Sequence, residues 1–153
     1  MDRREMLGVV GVTAAGLAVG AGTAFGQEKK PDHKAHGEHY EMAQKCAKTC
    51  SDCMNECNEG FHHCFEQLVA GKKEYDKAAH ACVDSAEMCA CSAALCGRVS
   101  PAMRHCCDAC AKICDDCIAE CEKLNDPALK GVIEACRKTA KDCREMVKMM
   151  AGK

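Results

Sequence analysis

Thiols recur along this chain at helical intervals. Cys46, Cys50, Cys53, Cys57 and Cys64 are spaced 4, 3, 4 and 7, and Cys107, Cys110, Cys114, Cys117 and Cys121 are spaced 3, 4, 3 and 4. Cys82, Cys89 and Cys96 step by sevens, as do Cys136 and Cys143. Steps of three, four and seven place side chains on one stripe of an α-helix, the stripe that faces partners in a bundle. Fifteen of the 17 cysteines therefore belong to inner stripes. Cys91 lies nine residues beyond Cys82, about 900° around the helix and so on its opposite face. Cys106 is one step off its stripe, and both stay outside the set. Buried thiols in this number offer three chemistries: disulfides, thiol redox exchange, or ligation of soft metal ions.

Disulfide scaffolds join separate elements at irregular spacings in loop-rich chains. Here most close pairs are one turn apart, where a bridge closes a loop of a few residues and stabilises little. Thiol oxidoreductases expose one low-pKa thiol at a helix start; Cys50-x-x-Cys53, Cys107-x-x-Cys110 and Cys114-x-x-Cys117 sit inside longer ladders. Zinc wants discrete tetrahedral sets of four, and each set of unshared thiolates would bury a charge of −2. Iron–sulfur ligands come mostly from loops. Cu(I) is soft, accepts two or three thiolates, and lets each sulfur bridge two ions. One Cu⁺ per S⁻ leaves a neutral interior. Fifteen cysteines also exceed what a small buried hydrophobe would account for, since Leu or Val fills a core without an oxidation hazard.

Four helices are expected to carry these stripes. The first runs from about Glu38 to Ala70 and stops at Gly71; the second from about Lys72 to Cys96, with Gly97 as its C-terminal glycine. Ser100-Pro101 supplies an N-cap and a first-turn proline for the third, ending near Leu124. Asp126-Pro127 repeats the signal for the fourth, which continues to about Met150. Short connections make successive helices antiparallel. The expected class is all-α, an up-down-up-down four-helix bundle over residues 38–153. Ala86, Ala93 and Ala140 fill gaps on the inner stripes, while Lys48, Asp52, Glu56, Lys112, Asp115 and Glu122 form a solvated outer face.

Residues 1–26 read as a twin-arginine signal peptide: Arg3-Arg4, an apolar small-residue run from Leu7 to Ala24, then Ala24-Phe25-Gly26 as the cleavage site. The run falls at or below the ~20 residues of a membrane span, and it holds no Cys for a lipid anchor. The protein is thus expected to be exported, periplasmic or otherwise extracytoplasmic, with no membrane attachment after cleavage. Residues 27–37 form a flexible polar segment. A net charge of −2 and the absence of Trp remove the basic field and stacking platforms that nucleic-acid binding needs. No Ser/His/Asp set, phosphate loop or paired acid–base constellation is recognisable, so no enzyme is expected.

The ladders Cys46-x-x-x-Cys50-x-x-Cys53-x-x-x-Cys57 and Cys107-x-x-Cys110-x-x-x-Cys114-x-x-Cys117-x-x-x-Cys121 resemble those of the bacterial copper storage proteins. The resemblance runs from about His36 to the end of the chain. It implies a cysteine-lined four-helix bundle that binds many Cu(I) ions, for storage or detoxification, as a homo-oligomer exported by the twin-arginine route. A copper donor or acceptor would be its partner.

Antiparallel order gathers the start of helix one, the end of two, the start of three and the end of four. That end collects His36, His39, Met42, Met103, His105, Met146, Met149 and Met150. Of these, His39, Met42, Met103, Met146 and Met150 fall on or beside the inner stripes. Thioether and imidazole hold Cu(I) more weakly than bridging thiolate, which suits ions in transit. This end is the expected mouth, and family members carry such residues at an open end. At the other end Leu68, Val69, Tyr75, Leu124, Leu129 and Val132 would form an apolar plug, with His62, His63 and His80 on the surface.

Overall fold

The computed structural model describes residues 37–151; the expected signal peptide, residues 27–36 of the expected N-terminal segment (His36 among them) and residues 152–153 lie outside the described residues. Four helices follow in order: α1 (Gly37–Val69), α2 (Asp76–Gly97), α3 (Met103–Lys123) and α4 (Lys130–Ala151). Single 3-10 turns, Lys73–Tyr75 and Pro127–Leu129, lead into α2 and α4. None of the described helices is long and apolar enough to cross a membrane.

Local chemistry accounts for the ends. Gly71, at φ +88°, closes α1: its N–H donates to Leu68 O at 2.9 Å and that of Lys72 to Gln67 O at 3.0 Å. This is the left-handed glycine stop expected from the sequence. The same pattern ends α2 at a different residue. Val99 N–H donates to Cys96 O and Ser100 N–H to Leu95 O, so Val99, at φ +52°, occupies the left-handed position. Gly97 stays inside the helix, a correction to its expected role. Val99 packs its side chain against the core, which offsets the strain of a β-branched residue there.

Ser100 Oγ accepts from Ala102 N–H at 3.3 Å in the turn before α3, which itself begins at Met103. Asp126 Oδ1 accepts from Ala128 N–H at 2.9 Å, capping the proline-led turn before α4.

Thiol contacts fix the directions of the helices. Along α1 and α4, Cys46 meets Cys143 and Cys57 meets Cys136, so the two run oppositely. Along α2 and α3, Cys96 meets Cys107 and Cys82 meets Cys121, again in reverse order. Between α1 and α2, Cys46 meets Cys96 and Cys64 meets Cys82, also in reverse order, and the up-down-up-down bundle follows.

The outer face is charged, with one-turn pairs such as Lys48–Asp52 and Lys112–Asp108. Arg137–Glu122 and Arg144–Asp115 tie α4 to α3. Exposed pairs of this kind contribute little each. Between α1 and α4 a buried polar contact sits beside the thiols. Asp142 accepts from Lys45 Nζ at 2.7 Å and from Thr49 Oγ1 at 2.8 Å.

Candidate metal centre

All fifteen stripe cysteines are buried, and none of the 17 is in a disulfide. Ala86 and Ala140 are buried among them, where a larger side chain would compete for the space the sulfurs occupy.

The sulfurs gather in five triads, each with its atoms within 4.8 Å of one another: Cys46, Cys50 and Cys143; Cys46, Cys96 and Cys107; Cys53, Cys57 and Cys136; Cys53, Cys89 and Cys114; Cys82, Cys117 and Cys121. Cys46 and Cys53 each belong to two triads, so the sets overlap. Cys110 joins through Cys89, at 3.7 Å, and Cys64 through its contact with Cys82. Cys50 reaches Cys110 and Cys89, which links the upper triads to those below. With Cys57 and Cys136 in turn coupled to Cys117, a sulfur-to-sulfur path runs the length of the core from Cys96 to Cys64.

Individual Sγ–Sγ contacts span 3.5 Å, at Cys96–Cys107, to 4.0 Å, at Cys46–Cys107. A disulfide needs about 2.0 Å. Two metal–thiolate bonds of about 2.3 Å, meeting at a three-coordinate ion, place their sulfurs about 4 Å apart. The observed spacing matches the second geometry without movement of the backbone.

Without metal, the thiols titrate as a network. Cys136 is pushed far above the ordinary thiol range by neighbouring Cys114, Cys117, Cys53 and Cys57, and by burial. Cys121 is pushed up to about 12, chiefly by Cys117 and by burial, against an opposing contact from Cys82. Cys53 is held low because the thiols of Cys114, Cys136 and Cys57 donate to it. One thiolate is thus stabilised only while its neighbours keep their protons. Full deprotonation of so dense a set requires cations in place of those protons.

Beyond the thiols at one end stand the methionines expected there. Met42 lies four residues before Cys46, Met103 four before Cys107, and Met146 three after Cys143, so each stands one turn past the outermost sulfurs. Met103 and Met146 are fully buried; Met42, Met149 and Met150 are half-buried against the core. His39 is half-buried and His105 exposed.

At the opposite end Leu129, Val132 and Tyr75 are buried, and Leu68 and Leu124 are half-buried against the core. Val69 is 74% exposed and no part of the plug, because it is the last residue of α1. His63 also departs from its expected surface role. It is half-buried, with Nε2 2.7 Å from Asp126 Oδ2, which also accepts from Tyr75 Oη at 2.8 Å. Only the Asp-Pro signal hinted at this cluster, since its members lie far apart in sequence. Cys106 is half-buried rather than in the core, and Cys91 is exposed, as their phases required.

Comparison with known proteins gives a consistent result. The family model described as copper storage protein matches residues 39–148. Two solved structures are similar: the Cu(I)-bound copper storage protein BsCsp3, and apo copper storage protein 3 from Bacillus subtilis. Each is 30% identical with a TM-score of 0.63, and each match covers 69% of this chain and 98% of the other. No curated protein matches the chain. With the family model spanning most of the chain, and the thiol-lined bundle that it implies present in the fold, the chain belongs to the copper storage protein family.

Proposed function

We propose that this protein stores multiple Cu(I) ions on the thiolates of its core, releasing them to a copper acceptor or holding them out of harm when supply is high. The observation that carries this reading is the set of fifteen buried thiols, fourteen of which have another core sulfur 3.5–4.0 Å away. A monovalent ion that accepts two or three bridging thiolates neutralises that set one for one. The Cu(I)-bound relative supports the same assignment. The role is storage and not catalysis: the thiols are enclosed, and ligands that share every ion leave no open position for a substrate.

Ions pass through the methionine end. Met103 and Met146 close it, and unbranched thioether side chains can swing aside while handing an ion from sulfur to sulfur. His39, Met42 and Met150 form the outer part of this path. The twin-arginine segment directs an already folded protein to an extracytoplasmic compartment, where metal loaded beforehand shields thiols from oxidation. Residues 1–26 are removed there, leaving a chain that begins at Gln27, and its bundle of residues 38–153 assembles as a homo-oligomer.

Anaerobic titration of the reduced protein with Cu(I), against a competing chelator, tests the core assignment. The expected capacity is about one ion per core cysteine, near fifteen. Saturation at two to four ions would instead indicate discrete tetrahedral sites and overturn the reading.

A further inference from the structure

Two thiols lie outside the storage core, and the fold brings them together. Cys91 is exposed and Cys106 half-buried. Met88 and Cys91 are three residues apart and share one side of α2. Cys106, on α3, comes against this side: its Sγ is 3.8 Å from Met88 Sδ, and Cys91 is near enough to push its thiol pKa up. The buried Ser92 holds Cys106 in place, Oγ to Sγ at 3.1 Å. Two thiols and a thioether thus converge on the outer side of the α2–α3 seam.

Packing does not explain them. An exposed thiol gains nothing from burial and is open to oxidation. We propose that Cys91, Cys106 and Met88 form a separate site for a single Cu(I), on the outside of the bundle and distinct from the core.

The donor set is soft and supplies the two or three sulfurs that Cu(I) accepts. Binding displaces the two thiol protons and leaves one net negative charge on the site. At an exposed seam water stabilises that charge; inside the core it would be costly. An ion held there by a two-helix clip, with no bridging to neighbours, exchanges faster than those inside. The proposal rests on this chain handling Cu(I), but the site is separable from the core.

The test loads the reduced protein anaerobically with chelator-delivered Cu(I) to saturation, then alkylates and maps the modified peptides. Cys91 and Cys106 should be protected in the loaded protein and labelled in the apo form. The double variant Cys91→Ala, Cys106→Ala should bind one ion fewer than the unaltered chain. Met88→Leu, which keeps both thiols, should leave the count unchanged and let the chelator remove one ion several-fold faster. Equal labelling of both thiols with and without copper would overturn the site, as would equal capacity in the double variant. Recovery of the two as a disulfide from the reduced, loaded protein would also overturn it. Failure of the core reading looks different: capacity far below fifteen in every variant, with the one-ion difference intact.

Discussion

Cys53 and Cys136 face each other across the α1–α4 interface with their sulfurs 3.7 Å apart, and Cys57, one turn along α1, stands at the same distance from Cys136. Cys143 repeats the relationship with Cys46 and Cys50, at 3.7 and 3.8 Å. The two cysteines of α4 thus serve four on α1, which explains how so sparse a ladder completes the core. It also makes Cys136 a hub and Cys64 an end point. Cys136→Ser should lower Cu(I) capacity by about two to three ions, because a serine oxygen is a poor ligand for a soft ion and several bridges are lost together. Cys64→Ser should cost one ion at most. Chelator competition on the two variants, side by side, measures the difference; equal losses would mean that the thiolates do not bridge.

Proton linkage gives a second expectation, and its sign can be worked out. Burial and crowding hold most core thiols above their unfolded value of about 8.5, with Cys121 at about 12. An acid raised on folding stabilises the apo bundle fully below the unfolded value, and that contribution is lost as pH climbs toward the folded one. The urea midpoint of the reduced apo protein should therefore fall between pH 8 and pH 11. The loaded protein has no such protons to lose and should show a flat profile. Each ion taken up at neutral pH should release about one proton, which an unbuffered titration reads directly.

The methionine end yields a third. Met103 and Met146 are buried one turn past the outermost sulfurs, beyond the five thiol triads. Replacing both with leucine preserves volume closely and removes the thioethers. Loading from a chelator should slow several-fold while final capacity stays the same. Stopped-flow uptake curves that superimpose on those of the unaltered protein would remove this end as the route.

Much of this arrangement was legible because helical periodicity and cysteine chemistry reinforce one another. Every stripe cysteine from Cys46 to Cys143 is buried, and the two set aside by phase, Cys91 and Cys106, are outside the core. What periodicity could not show was pairing between positions distant in sequence. Asp142, a charged residue beside Cys143, is buried because Lys45 and Thr49 reach it from α1. The expected helix stop at Gly97 moved to Val99 because the hydrogen-bonding pattern of the last turn decides which residue turns left-handed, and residue type only biases it. Composition alone assigns Val69 to the apolar plug, whereas its position at the last turn of α1 leaves it in solvent.

Gly60 tests how tightly the plugged end is packed. It lies inside α1, where glycine is a poor helix former, at a cost of roughly 0.5–1 kcal/mol. A Cβ there would overlap Val132 Cγ2 and lie 3.3 Å from Cys82 Sγ. Close approach of α4 and α2 to α1 is the reason for the glycine. Gly60→Ala should lower stability by about 1–2 kcal/mol despite its better helix propensity, since overpacking costs about 1–3 kcal/mol. A denaturation midpoint equal to or above that of the unaltered protein would show that the helices can part there without loss.

Asp126 joins three parts of the chain and should govern acid stability. Its carboxylate is held down at about 2 by the Ala128 N–H and then by His63, against an opposing effect of burial, with a lesser contribution from Tyr75. A carboxylate lowered on folding contributes fully above its unfolded value of about 3.9, and that contribution disappears as pH falls through the folded value. With its side chain 16% exposed, solvent screening trims the shift to about 1–2 kcal/mol of stability. Asp126→Ala should therefore destabilise the apo protein by a similar amount at pH 6 and leave it little different from the unaltered chain near pH 2. Urea midpoints of the two proteins at pH 6, 4 and 2 measure this. A gap that stays constant down to pH 2 would mean that the lost turn geometry, and not the charge, is what Asp126 provides.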